Sequence, residues 1–203
     1  MKLHDYLNIV PPQYTGNEIE SIAEEEFENE EDARNMFITA KQRLLDVNNW
    51  NRIAGIVTAT FQVIDNKGKE VDRQVKKSDY LRISIPGPGN KEGEGYDWVF
   101  VEDLIEFEKE GIQSTGFRVR PNENPFSVKN ETAHFYSNEA TSSFIITRDK
   151  LKVSSWIIDR NLLPNTEAES LVDKVRDIVV GVSAIAGFSK LQWQALAEGL
   201  IKK

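Results

Sequence analysis

Two polar side chains near position 135 are of the types that proton transfer requires. His134 and Tyr136 lie two residues apart in the run Thr-Ala-His-Phe-Tyr. Residues i and i+2 of a strand share a face, so both side chains can enter one cavity. A histidine that acts as a general base also needs a nucleophile and a carboxylate that fixes its tautomer. The sequence contains neither a Gly-x-Ser-x-Gly elbow nor a His-Glu-x-x-His pair. A hydrogen-bonded structural histidine is therefore the favoured interpretation, with a catalytic one as the alternative.

The Gly/Pro loop, residues 86–95, contains enough glycine to suggest a phosphate cradle. A P-loop requires Gly-x-x-x-x-Gly-Lys-Ser/Thr that opens directly into a helix. Here Lys91 is followed by Glu92, and Glu92 and Glu94 would repel an anion. We therefore interpret this segment as a hairpin loop, with a lid over a pocket as the alternative.

The basic residue Arg160 lies between the last predicted strand and the last predicted helix. Its guanidinium could bind a ligand carboxylate through two hydrogen bonds. A salt bridge that ties the strand to the helix end is the favoured interpretation.

Large aromatic side chains on the predicted strands suggest an apolar ligand cavity. A filled core would use the same residues. The candidate ligand-binding residues are Trp98, Phe100, His134, Tyr136, Phe144, Trp156 and Arg160. The sequence indicates no catalytic residue with a recognisable motif and no metal ligand set.

Composition excludes several classes of function. The 203 residues include no cysteine, so disulfides, thiolate metal sites and cysteine nucleophiles are absent, and two histidines cannot form a His-rich metal site. Nine acids and no base lie in the acidic segment, Glu18 to Asp32, and the rest of the chain is nearly neutral. Without a basic excess, nucleic-acid binding is not expected. No apolar run is long enough for a membrane span, and the N-terminus does not resemble a signal peptide, so we expect a cytoplasmic protein.

Hydrophobic periodicity predicts the elements that must position these side chains. Residues 1–16 form an extended arm, because Pro11-Pro12 prevents helix formation, and apolar residues such as Leu7 and Ile9 can pack it onto the main body. Residues 21–27 are ambiguous between a strand and a helix start. Apolar residues at three- and four-residue spacing predict a helix over 30–50. Period-two patterns predict strands at 57–63, 70–76, 81–85, 96–106, 113–120, 132–136, 142–147 and 152–158.

The C-terminal segment has the clearest helix signals. Thr166 and Glu169 match a capping box, and an apolar stripe follows. Gly187 suits a helix C-cap and Ser189 the N-cap of a second segment. That segment carries Trp193, and we expect it to fold back so that its apolar side chains enter the core.

These patterns predict a single α+β domain over residues 1–203. A curved antiparallel sheet of six or seven strands carries an N-terminal helix and long C-terminal helices. Closely spaced strands favour antiparallel pairing, because parallel neighbours need long crossovers.

The run Leu44-Leu-Asp-Val-Asn-Asn-Trp50 and the order of elements resemble the START/Bet v 1-like helix-grip superfamily. That resemblance implies a curved sheet that wraps a long C-terminal helix and encloses an apolar cavity. The Gly/Pro loop and a break at Gly187 depart from the pattern. Residues 159–165 and 187–193 are also similar to a family of uncharacterised bacterial proteins of this length, which implies no known activity.

The leading hypothesis from the sequence is non-catalytic binding of a small apolar ligand between the sheet and the C-terminal helix, without a cofactor. One alternative is a protein-interaction module, in which the acidic segment binds a basic protein or the C-terminal helix forms a homodimer. A second alternative is a small-molecule enzyme that uses His134 or Tyr136. Neither a nucleic acid nor a membrane is an expected partner.

Overall fold

The fold is given by a computed structural model that describes residues 5–55, 59–84, 96–125, 135–164 and 175–203. Within the last range, only the backbone is described for residues 175–186 and 188. The strands are β1 (Asn17–Glu26), β2 (Thr60–Ile64), β3 (Tyr80–Ser84), β4 (Asp97–Lys109), β5 (Ile112–Pro121), β6 (Thr141–Asp149) and β7 (Lys152–Leu162). The helices are α1 (Glu30–Leu45), α2 (Trp50–Ala54) and α3 (Val175–Leu200), and a short 3-10 turn over Val47–Asn49 joins α1 to α2.

The seven described strands form one curved sheet in the order β1-β7-β6-β5-β4-β3-β2. Every neighbouring pair is antiparallel. The predicted α+β class and strand number are confirmed. The architecture is also the one that the helix-grip resemblance implies, because a long C-terminal helix packs on the sheet.

Helix α1 begins where the sequence provides a cap. The Asn29 side chain accepts a hydrogen bond from the Asp32 backbone N–H, and three acids occupy the first turn. Acids are favoured there by the helix dipole, so part of the acidic segment serves the start of α1. The buried residues Ala33, Phe37, Ala40 and Leu44 follow the predicted helical spacing.

Alternating side chains divide the sheet into two faces. On the helix side, residues such as Val99, Phe144 and Ile157 join the main core with the helices. On the outer side, Ile145, Trp156 and Ile158 form a second cluster with Leu7 and Ile9 of the arm. Tyr6 also stacks on Phe107, with ring centroids 5.7 Å apart. The prediction that the arm packs on the body is confirmed.

The ambiguous segment over residues 21–27 is the strand β1, which pairs with β7. The prediction of a strand over 70–76 is wrong. After a single bridge between Ile64 and Glu70, the chain leaves the sheet, and the Val75 N–H donates to the Leu45 carbonyl of α1 instead. Most of the strand predicted at 132–136, the Gly/Pro loop and the capping box lie outside the described residues, although Tyr136 forms an isolated bridge to Pro164.

The predicted helix break at Gly187 is also wrong, because α3 continues through it. A glycine in a helix interior costs only about 1 kcal/mol relative to alanine. That cost is smaller than the gain from burying the apolar side chains that follow in the same helix. Trp193, Leu196 and Leu200 are buried, which confirms that this segment folds onto the core.

Candidate functional site

A cavity of about 70 Å³ lies between the helix side of the sheet and the helices α2 and α3. A single water needs roughly 10–15 Å³ of such space, so this cavity is larger than one water fills. Its described lining is mostly apolar and also includes a group of polar side chains. The apolar lining residues are Trp50, Ala59, Phe61, Leu81, Ile83, Val99, Val119, Pro121, Phe135, Ala140, Phe144, Leu162 and Trp193, and the polar ones are Tyr136, Thr141, Ser142, Asp159, Ser189 and Gln192.

Three elements contribute the aromatic wall of the cavity. Trp50 begins α2, Phe144 lies on β6 and Trp193 lies on α3. The ring centroids of Trp50 and Phe144 are 4.8 Å apart, and those of Phe144 and Trp193 are 5.3 Å apart. The Trp50 indole N–H donates to the Leu44 carbonyl at 3.1 Å, so the ring is fixed against the end of α1. The first ring pair is tilted and the second meets edge to face, and both are arrangements that aromatic side chains favour.

One face of α3 supplies the helical side of the cavity. Ser189, Gln192 and Trp193 are three and four residues apart, and such residues share a helix face. The Gln192 side-chain oxygen accepts a hydrogen bond from the Ala59 N–H at 2.9 Å. This bond joins α3 to the residue before β2.

Asp159 is the central polar residue of the cavity. It is 3% exposed, and its Oδ2 accepts a hydrogen bond from the Trp193 indole N–H at 2.9 Å. Burial raises the pKa of Asp159 to about 6, although the hydrogen-bonding hydroxyl of Ser142, the Trp193 N–H and the charge of Arg160 act in the opposite direction. Desolvation dominates because no Lys or Arg is among the described lining residues.

Tyr136 lies in the same polar group. Burial and the nearby charge of Asp159 raise the pKa of its phenol to about 12, while a hydrogen bond with Ser189 opposes the shift. At neutral pH the phenol keeps its proton. It is therefore suited to donate a hydrogen bond and unsuited to act as a base.

The structure brings two of the sequence candidates to the cavity, namely Tyr136 and Phe144. His134 lies outside the described residues. The other four are not among the described lining residues. Trp98 packs with Ile64, and the ring centroid of Phe100 lies 5.2 Å from that of Tyr80. Trp156 packs under the arm, and Arg160 forms salt bridges.

Strand alternation explains why these four lie elsewhere. On β4, Val99 and Val101 face the helices, so Trp98 and Phe100 face outward. On β7, Ile157 faces the helices, so Trp156 faces outward and Arg160 shares its side. The expectation that these side chains line the cavity is corrected accordingly.

Arg160 forms salt bridges, as the favoured interpretation of its role predicts. Its partners are the carboxylates of Glu18, at 3.4 Å, and Glu20. Both belong to β1, so the bridge ties two strands together and not a strand to a helix end.

Sequence reasoning missed Asp159, Trp50 and Gln192. The signal for Asp159 was present, because it lies two residues after Ile157 and so shares the face that enters the core. Trp50 and Gln192 could not be assigned in this way, since their positions depend on how α2 and α3 pack on the sheet.

Among the described residues, no group of three His, Asp or Glu side chains is arranged to hold a metal ion. Within the same ranges, no helix is long and apolar enough to cross a membrane.

Comparisons with known proteins support the fold and nothing finer. No family model and no curated protein matches the sequence. A hypothetical protein from Helicobacter pylori has a similar structure, with a TM-score of 0.50, 12% identity, and coverage of 92% of this chain and 87% of that one. At this identity the likeness shows the fold alone.

Two plant proteins align with lower scores. A major latex-like protein from Panax ginseng has a TM-score of 0.38 and 10% identity, over 83% of this chain and 97% of that one. Norcoclaurine synthase from Thalictrum flavum, crystallised with dopamine and hydroxybenzaldehyde, has a TM-score of 0.33 and 8% identity, over 90% and 88%. These scores are too low to carry an argument about this chain.

Proposed function

We propose that this protein binds a small, largely apolar ligand, without catalysis, in the cavity between the sheet and α3. The observation that carries the proposal is the cavity itself, which interrupts an otherwise continuous core of aromatic and aliphatic side chains. Apolar pockets with a few convergent polar groups are the usual form of small-molecule sites.

The hydrogen bonds that orient the two indoles of the wall support binding without large rearrangement. Trp50 is held by Leu44, and Trp193 is held by Asp159. Because both indoles already have hydrogen-bond partners, a ligand finds the aromatic surface preformed and loses less free energy to ordering.

Native mass spectrometry of the protein as purified provides the first test, with toluene as an added probe. We expect either a retained small molecule, removable by solvent extraction, or saturable toluene binding that stabilises the fold. A protein that carries no extra mass and binds no toluene would overturn the proposal.

A matched pair of substitutions tests whether toluene binds in the cavity. Val119→Ile adds one methylene to the cavity wall, while Val153→Ile adds the same group to a fully buried core position that is not part of the described lining. We expect Val119→Ile to weaken toluene binding and to leave stability unchanged or raise it by up to about 1 kcal/mol. Val153→Ile should leave toluene binding unchanged and cost about 1–3 kcal/mol through overpacking.

The interaction-module alternative loses one of its two surfaces. Trp193 is 9% exposed and Leu196 and Leu200 are buried, so this face of α3 is core and not an interface. The carboxylates of the acidic segment are partly used within the chain, for example by Arg160 and by Lys152, which contacts Glu24 at 3.3 Å. The enzyme alternative remains a prediction, because His134 is outside the described residues.

A further inference from the structure

Asp159 has one carboxylate oxygen available to a ligand. Oδ2 accepts the Trp193 N–H, whereas Oδ1 is buried and has no hydrogen-bond partner among the described residues. Buried carboxylate oxygens are almost always hydrogen-bonded, by protein, water or ligand. An acceptor in the lining of an apolar cavity therefore requires a donor from whatever occupies the cavity.

The surrounding groups favour a donor over an acceptor. The described lining contains no Lys or Arg, and the guanidinium of Arg160 is engaged by Glu18 and Glu20 of β1. The other polar groups of the described lining are the hydroxyls of Tyr136, Thr141, Ser142 and Ser189 and the amide of Gln192, and of these the Ser142 hydroxyl hydrogen-bonds the carboxylate. Since the site holds no described cation, a ligand that presents a carboxylate here would meet uncompensated negative charge.

We infer that the cavity selects ligands that combine a compact apolar body with a hydrogen-bond donor, a hydroxyl or an amine, directed at Asp159, and that it rejects anions. This inference rests on the proposed function, because it specifies the ligand class of the same cavity. The aromatic wall of Trp50, Phe144 and Trp193 would contact the apolar body. The raised pKa of Asp159, about 6, still leaves the carboxylate mostly ionised at pH 7.5, where it is the stronger acceptor.

Three uncharged probes of similar size separate the possibilities, with dissociation constants measured by calorimetry at pH 7.5. Toluene is apolar, benzonitrile only accepts hydrogen bonds, and benzyl alcohol donates one. We expect benzyl alcohol to bind about tenfold more tightly than benzonitrile, because a hydrogen bond to a charged group is among the stronger ones. Benzoate should bind more weakly than all three.

The variant Asp159→Asn tests whether the carboxylate is the origin of this preference. It keeps the side-chain shape and one acceptor oxygen, so the advantage of benzyl alcohol over benzonitrile should fall about five- to tenfold, with toluene binding retained. Asp72→Asn, at an exposed position, is the control and should preserve the preference. If Asp159→Asn does not fold, the order of the probe affinities for the unmodified protein still tests the donor preference.

The outcomes distinguish the two proposals. Toluene binding with benzonitrile equal to or tighter than benzyl alcohol would overturn the donor preference and leave ligand binding in place. Failure of all three uncharged probes to bind would count against the proposed function itself.

Discussion

At the scale of single residues, stability alone does not explain the position of Asp159. Its carboxylate is almost fully buried beside aromatic rings, and among the described residues the Trp193 N–H and the Ser142 hydroxyl hydrogen-bond it. Removing a carboxylate from water costs several kcal/mol unless partners compensate. An apolar side chain at this position would pack the core at lower cost, so the retained charge is consistent with a role in the cavity.

The pH dependence of stability should reveal this buried charge. Because the pKa of Asp159 is about 6 in the fold and about 4 in an unfolded chain, the folded chain holds the proton more tightly. The contribution of Asp159 is therefore fully present below pH 4 and is lost as the pH rises through 6. The loss amounts to about 3 kcal/mol.

Asp159→Asn removes that titration. Measured by urea unfolding at pH 4, 5.5 and 7.5, the free energy of unfolding of the variant relative to the unmodified protein should increase with pH, by up to about 3 kcal/mol. Asp72→Asn serves as the exposed control. A difference for Asp159→Asn that is the same at every pH would show that the carboxylate is not penalised in the fold.

At the scale of the elements, α3 contains one glycine with open space around its Cα and one that lies against the backbone of another helix. A Cβ at Gly187 would meet no described atom within 4 Å, whereas a Cβ at Gly199 would lie 2.2 Å from the carbonyl oxygen of Ile53 in α2. The absence of a side chain at Gly199 therefore lets α3 approach α2 closely. Arg43 of α1 reinforces this end, because its guanidinium donates to the Leu200 carbonyl at 3.2 Å.

The same substitution at these two glycines should have opposite effects. Gly187→Ala should raise the free energy of unfolding by about 0.5–1 kcal/mol, because alanine loses less backbone entropy in a helix. Gly199→Ala should lower it by about 1–3 kcal/mol, because the backbone of Ile53 must move. Chemical denaturation of both variants measures the two free energies of unfolding. Equal effects would mean that the close contact between α2 and α3 at Gly199 does not decide the cost of an added side chain.

Local hydrophobic patterns identified the strands and helices wherever burial of apolar side chains dominates the local structure. Strand patterns located β4 to β7, although β6 and β7 are buried on both faces and not on one face only. They failed for residues 70–76, where the Val75 N–H bonds to α1 and Arg73 bonds to Asp79 at 2.6 Å. Both partners, Leu45 of α1 and the nearby Asp79, lie outside the segment, so the sequence pattern of the segment alone does not contain them.

The candidate site was less predictable than the fold. Phe144 was found because strand aromatics often face a core, and Tyr136 because its two-residue spacing from His134 suggested a shared cavity. Trp156 and Arg160 were assigned to the wrong face, since residue type alone says nothing about which side of the sheet a residue occupies. That choice depends on the arm, which covers Trp156 with Leu7 and Ile9 and so creates a second buried face.

At the scale of the whole molecule, the arm and the cavity lie on opposite sides of one sheet. The Ile9 carbonyl accepts hydrogen bonds from the Arg118 guanidinium, at 3.1 Å, and from the Ser143 hydroxyl, at 3.2 Å. A Cβ at Gly116 would lie 2.9 Å from Leu7, so the arm sits directly on β5. The sheet separates these contacts from the cavity, and effects on the two sides should be additive.

Ile9→Ala tests this separation. Ile9 is 1% exposed, so the truncation should cost about 2–5 kcal/mol and shift part of the tryptophan emission to the red as Trp156 becomes wetter. Ile38→Ala, at a residue of α1 that is 47% exposed, makes the same chemical change and should cost less than about 1 kcal/mol. Because the cavity lies across the sheet, toluene should bind Ile9→Ala with unchanged affinity under conditions where the variant is folded. Denaturation measures the free energies of unfolding of both variants, and calorimetry measures their toluene affinities. A loss of toluene binding in folded Ile9→Ala would show that the arm and the cavity are coupled through the strands between them.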